Sequence, residues 1–184
     1  MNAIFVEPEI YTEADLEELS DSVHRYELIR GELQTMAPVG GVHGNVTANI
    51  SALIGEHCLT NDLGAGFCAG TGFRVEENPS TVLAPDFAFI VKGRVLLPIP
   101  DGFMPAVPDL VLETRSPGDS AREVAAKVEL WLEVGAREVW ELNPHRQILT
   151  VYTPDNEPLA LSADDRLESE LLPGLSLELR LVLS

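Results

Sequence analysis

The chain has 184 residues, of which 45% are hydrophobic and 23% are charged, and this composition predicts a globular protein with one sizeable core. Its two cysteines lack Cys-x-x-Cys spacing, which argues against a disulfide framework or a zinc site. The net charge of −18 argues against a protein that grips duplex DNA with a broad basic surface.

The sequence gives no sign of a membrane segment. Residues 1–8 lack a basic stretch followed by a long apolar stretch, so no signal peptide is predicted. No apolar run approaches membrane-spanning length. We therefore expect one cytoplasmic domain over residues 1–184, without membrane contact.

The first two predicted elements are a short helix and a β-hairpin. Thr12 is a good N-cap for a helix over residues 11–20. Alternating residues on both sides of Arg30-Gly31 predict a tight hairpin over residues 26–36. Glu27 shares a hairpin face with Ile29, and an acid there is a candidate metal or water ligand; the alternative is an exposed hairpin acid.

Helical spacing continues over residues 43–60, where the apolar positions are three or four residues apart. His43 opens this helix and is a candidate contact for an anionic substrate, although a plain surface histidine is the competing interpretation. Residues 67–75 read as one strand, bent or bulged at Gly70 and Gly72, and residues 76–80 as a turn.

Residues 85–91 form an apolar run that carries one carboxylate, Asp86. Alternation places Asp86, Ala88 and Ile90 on one face and phenylalanines on the other, which predicts a central strand covered on both sides. A lone buried carboxylate is unfavourable unless it is paired or bound to a metal. Asp86 therefore either has a cationic partner or lies in water at the strand edge.

A second strand, residues 109–114, follows a loop over residues 92–108 that is rich in glycine and proline. Glu113 lies near its end, where open sheets place ligands. Asp109 is on the same face, but four residues of strand separate it from Glu113 by roughly 13 Å. Asp86 is the better partner for sharing a cation with Glu113, provided that the two strands are neighbours.

The next helix is predicted over residues 120–134, ending at Gly135. Lys127 falls on its apolar stripe, so its amine either extends along the surface into water or reaches the acids of the sheet. Arg115, two residues after Glu113, could stabilise charge but is a poor base.

Strands are predicted over residues 138–142 and 147–152, and the C-terminal tail is expected to add a strand pair and an extension. The order of elements predicts an α/β fold in which helices flank a mixed β-sheet, with added β-hairpins.

Taken in order, these segments resemble the Uma-type endonuclease family of the restriction-endonuclease-like PD-(D/E)xK superfamily. The resemblance rests on the stretch around Glu27, on Pro85-Asp86, on the Glu113 strand, on Lys127 and on Leu172-Pro173-Gly174-Leu175. It runs from about residue 10 to about residue 180.

The resemblance implies a restriction-endonuclease-like core that hydrolyses phosphodiester bonds with Mg²⁺ or Mn²⁺. Asp86 and Glu113 would bind the metal. In the superfamily, a lysine usually lies two residues after the second acid. Here that position holds Arg115, and Lys127 on the next helix would supply the amine instead. Glu27 would match an extra acid before the core. It also implies a nucleic acid substrate and a homodimer. In the sequence itself, the apolar C-terminal tail is the only feature that favours a dimer.

Two other functions remain open at this stage. The chain could be an inactive member of such a superfamily that serves in protein interaction or regulation. It could also be a glycosidase that uses Glu113 and Asp86 as acid and base, which would need no metal.

Overall fold

The computed structural model describes residues 10–19 and 25–183. The sequence-based interpretation of residues 1–8 and the last residue of the first predicted helix, Ser20, lie outside these ranges. None of the helices in the described part of the chain has the length and apolar character that a bilayer crossing needs.

Four α-helices are present in the described ranges. The two long helices agree with the sequence prediction to within a few residues, and a capping box at Ser120 and Glu123 sets the start of the second. The helices are α1 (Glu13–Leu19), α2 (Gly41–Thr60), α3 (Ala121–Glu133) and α4 (Arg180–Leu183).

A four-stranded antiparallel sheet contains the predicted hairpin. Arg30 and Gly31 both have positive φ, as a two-residue hairpin turn requires. The sheet order is β2-β1-β5-β4. Its strands are β1 (Arg25–Ile29), β2 (Glu32–Met36), β4 (Phe73–Glu77) and β5 (Ser80–Leu83).

A six-stranded mixed sheet forms the centre of the molecule, in the order β10-β9-β8-β7-β6-β3. The pair β7–β8 is parallel and is connected by α3, whereas the other pairs are antiparallel. Its strands are β3 (Gly64–Cys68), β6 (Phe87–Val91), β7 (Leu110–Thr114), β8 (Glu138–Asn143), β9 (Ile148–Thr153) and β10 (Asn156–Ser162).

The two faces of β6 belong to two different hydrophobic clusters, as its alternation predicts. Phe87 and Phe89 pack in a cluster with α2 and the C-terminal segment. Ala88 and Ile90 pack in a cluster with α3 residues such as Trp131. The central sheet therefore lies between α2 and α3, which is the predicted mixed sheet flanked by helices.

The prediction of a single strand over residues 67–75 is wrong. The chain leaves the six-stranded sheet after Cys68 and enters the four-stranded sheet at Phe73. Gly70 has a φ of +88°, and a Cβ at Gly72 would approach the Phe103 ring to 2.4 Å. The two glycines thus mark a crossing between sheets, and the predicted turn over residues 76–80 shrinks because strands continue to Glu77 and restart at Ser80.

The tail contains the predicted strand pair and an extension, α4, and one further strand precedes them. β10 pairs with β9 at the edge of the central sheet, and a short ladder joins β11 (Arg166–Leu167) to β12 (Leu177–Glu178). Leu172, Leu177 and Leu179 are buried in the same cluster as α2. The apolar tail residues thus complete the core of their own chain.

Candidate active site

Asp86 lies directly before β6, and the β6–β7 register places it opposite Glu113. Phe87 pairs with Leu112, and the Asp86 amide donates to the Leu112 carbonyl, so the next antiparallel pair is Asp86 with Glu113. The predicted adjacency of the two strands is confirmed. Both acids therefore reach the same end of the central sheet.

The Asp86 carboxylate has two polar neighbours. Its Oδ2 accepts the Thr114 amide at 2.7 Å and lies 3.3 Å from His43 Nε2. Both contacts fall on one oxygen, and the side chain is 20% exposed. The hydrogen bond to Asp86 raises the pKa of His43, although burial opposes this shift. The interpretation of His43 as a plain surface histidine is wrong, because the residue is only 6% exposed.

The Glu113 carboxylate is held by two residues of α3. Its Oε1 accepts a hydrogen bond from Trp131 Nε1 at 2.8 Å and lies 3.3 Å from Lys127 Nζ. The sequence analysis did not predict the Trp131 contact. A buried indole N–H needs an acceptor, so the burial of this tryptophan was the available signal.

Lys127 reaches the acids of the sheet instead of extending into water. Its amine donates to Glu27 Oε1 at 3.1 Å in addition to its contact with Glu113. Glu27 is 5% exposed, and the same Oε1 accepts the Ala84 amide at 2.8 Å. Glu27 is therefore a buried partner of Lys127 and not an exposed hairpin acid.

Burial dominates the electrostatics of this group. It raises the pKa of Glu113 to about 7, helped by the charges of Glu27 and Asp86 and opposed by Lys127. Burial lowers the pKa of Lys127, but the charges of Glu113 and Glu27 outweigh it, so the net direction is upward. Lys127 therefore stays protonated at neutral pH, while Glu113 is divided between its two forms.

Arg115 belongs to a different contact set. Its Nη1 lies 3.6 Å from Glu141 Oε1, and its Nη2 donates to the Asp119 carbonyl at 3.1 Å. Glu141 is on β8, in register with Glu113 on β7. The sequence analysis missed Glu141, although it is one of two acids, with Glu138, in a strand whose residues are all buried, and a buried acid is the signal that singled out Asp86.

Asp109 lies at the opposite end of β7 from Glu113. It is fully buried, its Oδ1 is 2.6 Å from Arg94 Nη1, and its Oδ2 accepts the Val91 amide at 2.9 Å. Arg137 is a second cation, at 3.5 Å. Asp109 thus has a complete set of local partners away from Asp86, as expected of a residue at the entry to the strand.

A cavity of about 570 Å³ opens over these side chains. It lies between the β2–α2 connection, the ends of β6 and β7, and the first turns of α3. The charged side chains and the histidine that line it are His43, Asp86, Glu113, Arg115, Asp119, Glu123, Lys127 and Glu141. Glu27 reaches this group through Lys127.

The acids suit a hard divalent cation that keeps part of its water shell. Within residues 10–19 and 25–183, no three His, Cys, Asp or Glu side chains lie close enough to hold a metal ion by themselves. Mg²⁺ is usually bound by one or two carboxylates, with water or substrate phosphate completing its shell. Asp86 and Glu113 meet that requirement, since one oxygen of each takes no part in the contacts with His43, Thr114, Trp131 and Lys127.

Comparison with known proteins gives a family match and a fold match. The family model described as "Uma2: Putative restriction endonuclease" matches residues 13–180. A crystal structure titled as a putative nuclease belonging to DUF820 from Anabaena variabilis ATCC 29413 superposes with a TM-score of 0.80 at 18% identity, covering 94% of this chain and 97% of that one. At this identity the likeness shows the fold. A search of curated proteins gave no match.

Proposed function

Because the chain belongs to the Uma2 family of restriction-endonuclease-like proteins, we propose that it is a metal-dependent nuclease that hydrolyses phosphodiester bonds. The observation that carries the proposal is the meeting of Asp86, Glu113 and Lys127 in one cavity. Two acids at the adjoining ends of β6 and β7 and an amine from the following helix thereby line one cavity of about 570 Å³.

In this proposal Asp86 and Glu113 hold Mg²⁺ or Mn²⁺. The metal would supply an activated water and would offset charge on the phosphate. The charge of the ion would also relieve the repulsion among Asp86, Glu27 and Glu113 that contributes to the raised pKa of Glu113.

Lys127 has the role of a charge stabiliser. Its raised pKa keeps it protonated, so it is poorly suited to remove a proton and well suited to stabilise negative charge on a reacting phosphate. Glu27 orients the amine by its 3.1 Å hydrogen bond, and His43 fixes the Asp86 carboxylate from the α2 side. Arg115 is assigned to substrate binding.

The test combines metal binding and cleavage on the same samples. We expect wild-type protein to bind Mg²⁺ or Mn²⁺ in calorimetry and to cleave a nucleic acid only when the metal is present. Asp86→Ala should lose both properties while keeping its fold by circular dichroism. No metal binding by the wild type would end the proposal. Hydrolysis of a glycoside that survives EDTA would favour the metal-free alternative, in which Glu113 and Asp86 act as acid and base.

A second candidate function follows from the net charge of −18. Such a charge opposes the approach of a polyanion, so the same fold could serve as an inactive module that binds another protein. This function predicts no metal binding and no change in partner binding in Asp86→Ala.

The location and assembly of the chain complete the proposal. We propose a cytoplasmic homodimer. The apolar tail is buried in its own chain, so it does not support a dimer interface, and the dimer rests on the family resemblance alone. A monomer by light scattering would remove it.

A further inference from the structure

A second pair of opposite charges lines the cavity beside the Asp86–Glu113–Lys127 group. Arg115 follows β7 and Glu141 lies on β8, and both contribute to the cavity wall. Neither is within the contacts that hold Glu113 or Lys127 in place. The function of this pair is therefore a separate question.

Glu141 is in an unfavourable place for a carboxylate. Every residue of β8 is buried, and Glu141 itself is 8% exposed. Its Oε2 accepts a hydrogen bond from the Tyr152 hydroxyl at 3.3 Å, whereas its buried Oε1 has no hydrogen-bond partner. An acid buried in this way needs a cation, and the nearest is Arg115 at 3.6 Å.

These contacts position Arg115 but do not use all of its N–H donors. A guanidinium has five N–H donors in a rigid fork. One hydrogen bond goes to the Asp119 carbonyl, and the Glu141 contact is longer than a hydrogen bond. The remaining donors are available to a ligand in the cavity, and their planar arrangement matches two oxygens of a phosphate.

We propose that Glu141 is a positioning residue, which holds the Arg115 guanidinium at the cavity wall as the binding site for a phosphate group of the substrate. The chain Tyr152–Glu141–Arg115 runs across β9, β8 and the end of β7 and sets where the guanidinium lies. The identification of that phosphate as part of a nucleic acid rests on the proposed function.

The competing explanation is that Glu141 does nothing except neutralise Arg115, whose side chain is 22% exposed. The two explanations predict opposite signs. If Glu141 only neutralises Arg115, removing its negative charge should strengthen phosphate binding, because a repulsive charge is lost. If Glu141 positions Arg115, removing it should weaken binding, because the guanidinium is no longer held.

The experiment is a calorimetric titration with inorganic phosphate, in EDTA and without nucleic acid. We expect Arg115→Met to weaken phosphate binding roughly tenfold or more, as the loss of charge-assisted hydrogen bonds implies. Glu141→Met should weaken it severalfold, and Glu141→Gln, which keeps an acceptor oxygen, should weaken it less. Arg137→Met is the matched control, because Arg137 pairs with Asp109 at the far end of β7, and it should bind like wild type.

The double variant Arg115→Met/Glu141→Met tests whether a loss of phosphate binding is caused by misfolding. Replacing both members of a buried ion pair by apolar residues is often close to neutral for stability, so this variant should fold and still fail to bind phosphate. With a cleavable substrate, Glu141→Met should raise KM more than it lowers kcat.

Three results would overturn the inference: no phosphate binding by wild type, wild-type affinity in Arg115→Met, or stronger binding in both Glu141 variants. These outcomes are distinct from failure of the proposed function. A protein that binds phosphate through Arg115 but cleaves nothing would contradict the nuclease proposal alone. A nuclease whose Arg115→Met variant keeps the wild-type KM would contradict only this inference.

Discussion

The Lys127 amine donates a hydrogen bond to Glu27 Oε1 at 3.1 Å, although the two residues are 100 positions apart in the chain. Glu27 belongs to the four-stranded sheet, and Lys127 lies on the helix that covers the six-stranded sheet. Because the same Glu27 oxygen also accepts the Ala84 amide, the contact fixes the segment that leads to Asp86. The proposed catalytic amine is thus anchored by a residue outside the central sheet.

Replacing Lys127 with methionine should affect both activity and stability. We expect cleavage to fall by at least about a hundredfold, since one stabilising charge is lost. The free energy of unfolding should fall by about 3 kcal/mol, because Glu27 and Glu113 would be left buried without their cation. Denaturant unfolding and a cleavage assay measure the two effects.

The double variant Lys127→Met/Glu27→Gln separates these effects. It removes one of the orphaned carboxylates, so it should recover part of the lost stability without recovering cleavage. If Lys127→Met alone cleaves at the wild-type rate, Lys127 does not belong to the site.

Glu113→Gln should change the pH dependence of stability in metal-free protein. Burial raises the pKa of Glu113 from 4.5 to about 7, so its contribution to stability is full below pH 4.5 and is lost as the pH rises through 7. Glutamine does not ionise. The stability of the variant relative to wild type should therefore improve by on the order of 2–3 kcal/mol between pH 4.5 and pH 8.

Urea unfolding at both pH values in EDTA measures this difference. Exposed Glu157 offers a control, because Glu157→Gln should show no such trend. An equal stability difference at pH 4.5 and pH 8 would show that Glu113 is not held in its neutral form by burial.

Metal affinity should rise with pH through the same range. A carboxylate must lose its proton to bind Mg²⁺, so with a pKa of about 7 for Glu113 the affinity should be about tenfold weaker at pH 6 than at pH 8. Loss of the His43 proton acts in the same direction, because the raised pKa of His43 keeps a positive charge beside Asp86 at lower pH. Calorimetry at the two pH values checks this, and an affinity that does not change would contradict Glu113 as a ligand.

Asp109→Asn should lower stability and leave metal binding intact, whereas Asp86→Asn should chiefly abolish metal binding. Asp109 is fully buried between Arg94, Arg137 and the Val91 amide, so we expect a loss of about 2 kcal/mol in the free energy of unfolding. Metal binding and cleavage by the folded fraction should stay at wild-type levels. Asp86→Asn should lose metal binding with a smaller change in stability, and loss of metal binding in Asp109→Asn would require a different choice of ligand.

The parts of the site that the sequence predicts are those governed by local periodicity. Asp86 and Glu113 stand out because an acid in a strand that is apolar on both faces needs a partner, and Lys127 stands out because it lies on the apolar stripe of α3. The same rule applied to residues 138–142 would have found Glu141.

Long-range pairing accounts for what the sequence does not predict. Nothing near residues 67–75 shows that Cys68 and Phe73 belong to different sheets, because the partners that separate them, β6 and β5, come later in the chain. The burial of Glu27 likewise depends on Ala84 and Lys127, which are far away in sequence. The roles of Glu27, His43 and Arg115 in substrate or metal chemistry stay predictions.

The delivery of the lysine by α3 has a consequence for how this protein can diverge. If the lysine were on the strand, two residues after Glu113, that position could not change without loss of the amine. Here the position holds Arg115, and the amine comes from Lys127 on α3. Arg115 can therefore be exchanged, together with Glu141, while the acids and the amine remain in place. With the proposed roles of Arg115 and Lys127, substitutions that alter substrate preference are separate from those that alter catalytic power, which gives such a chain two independent routes for adaptation.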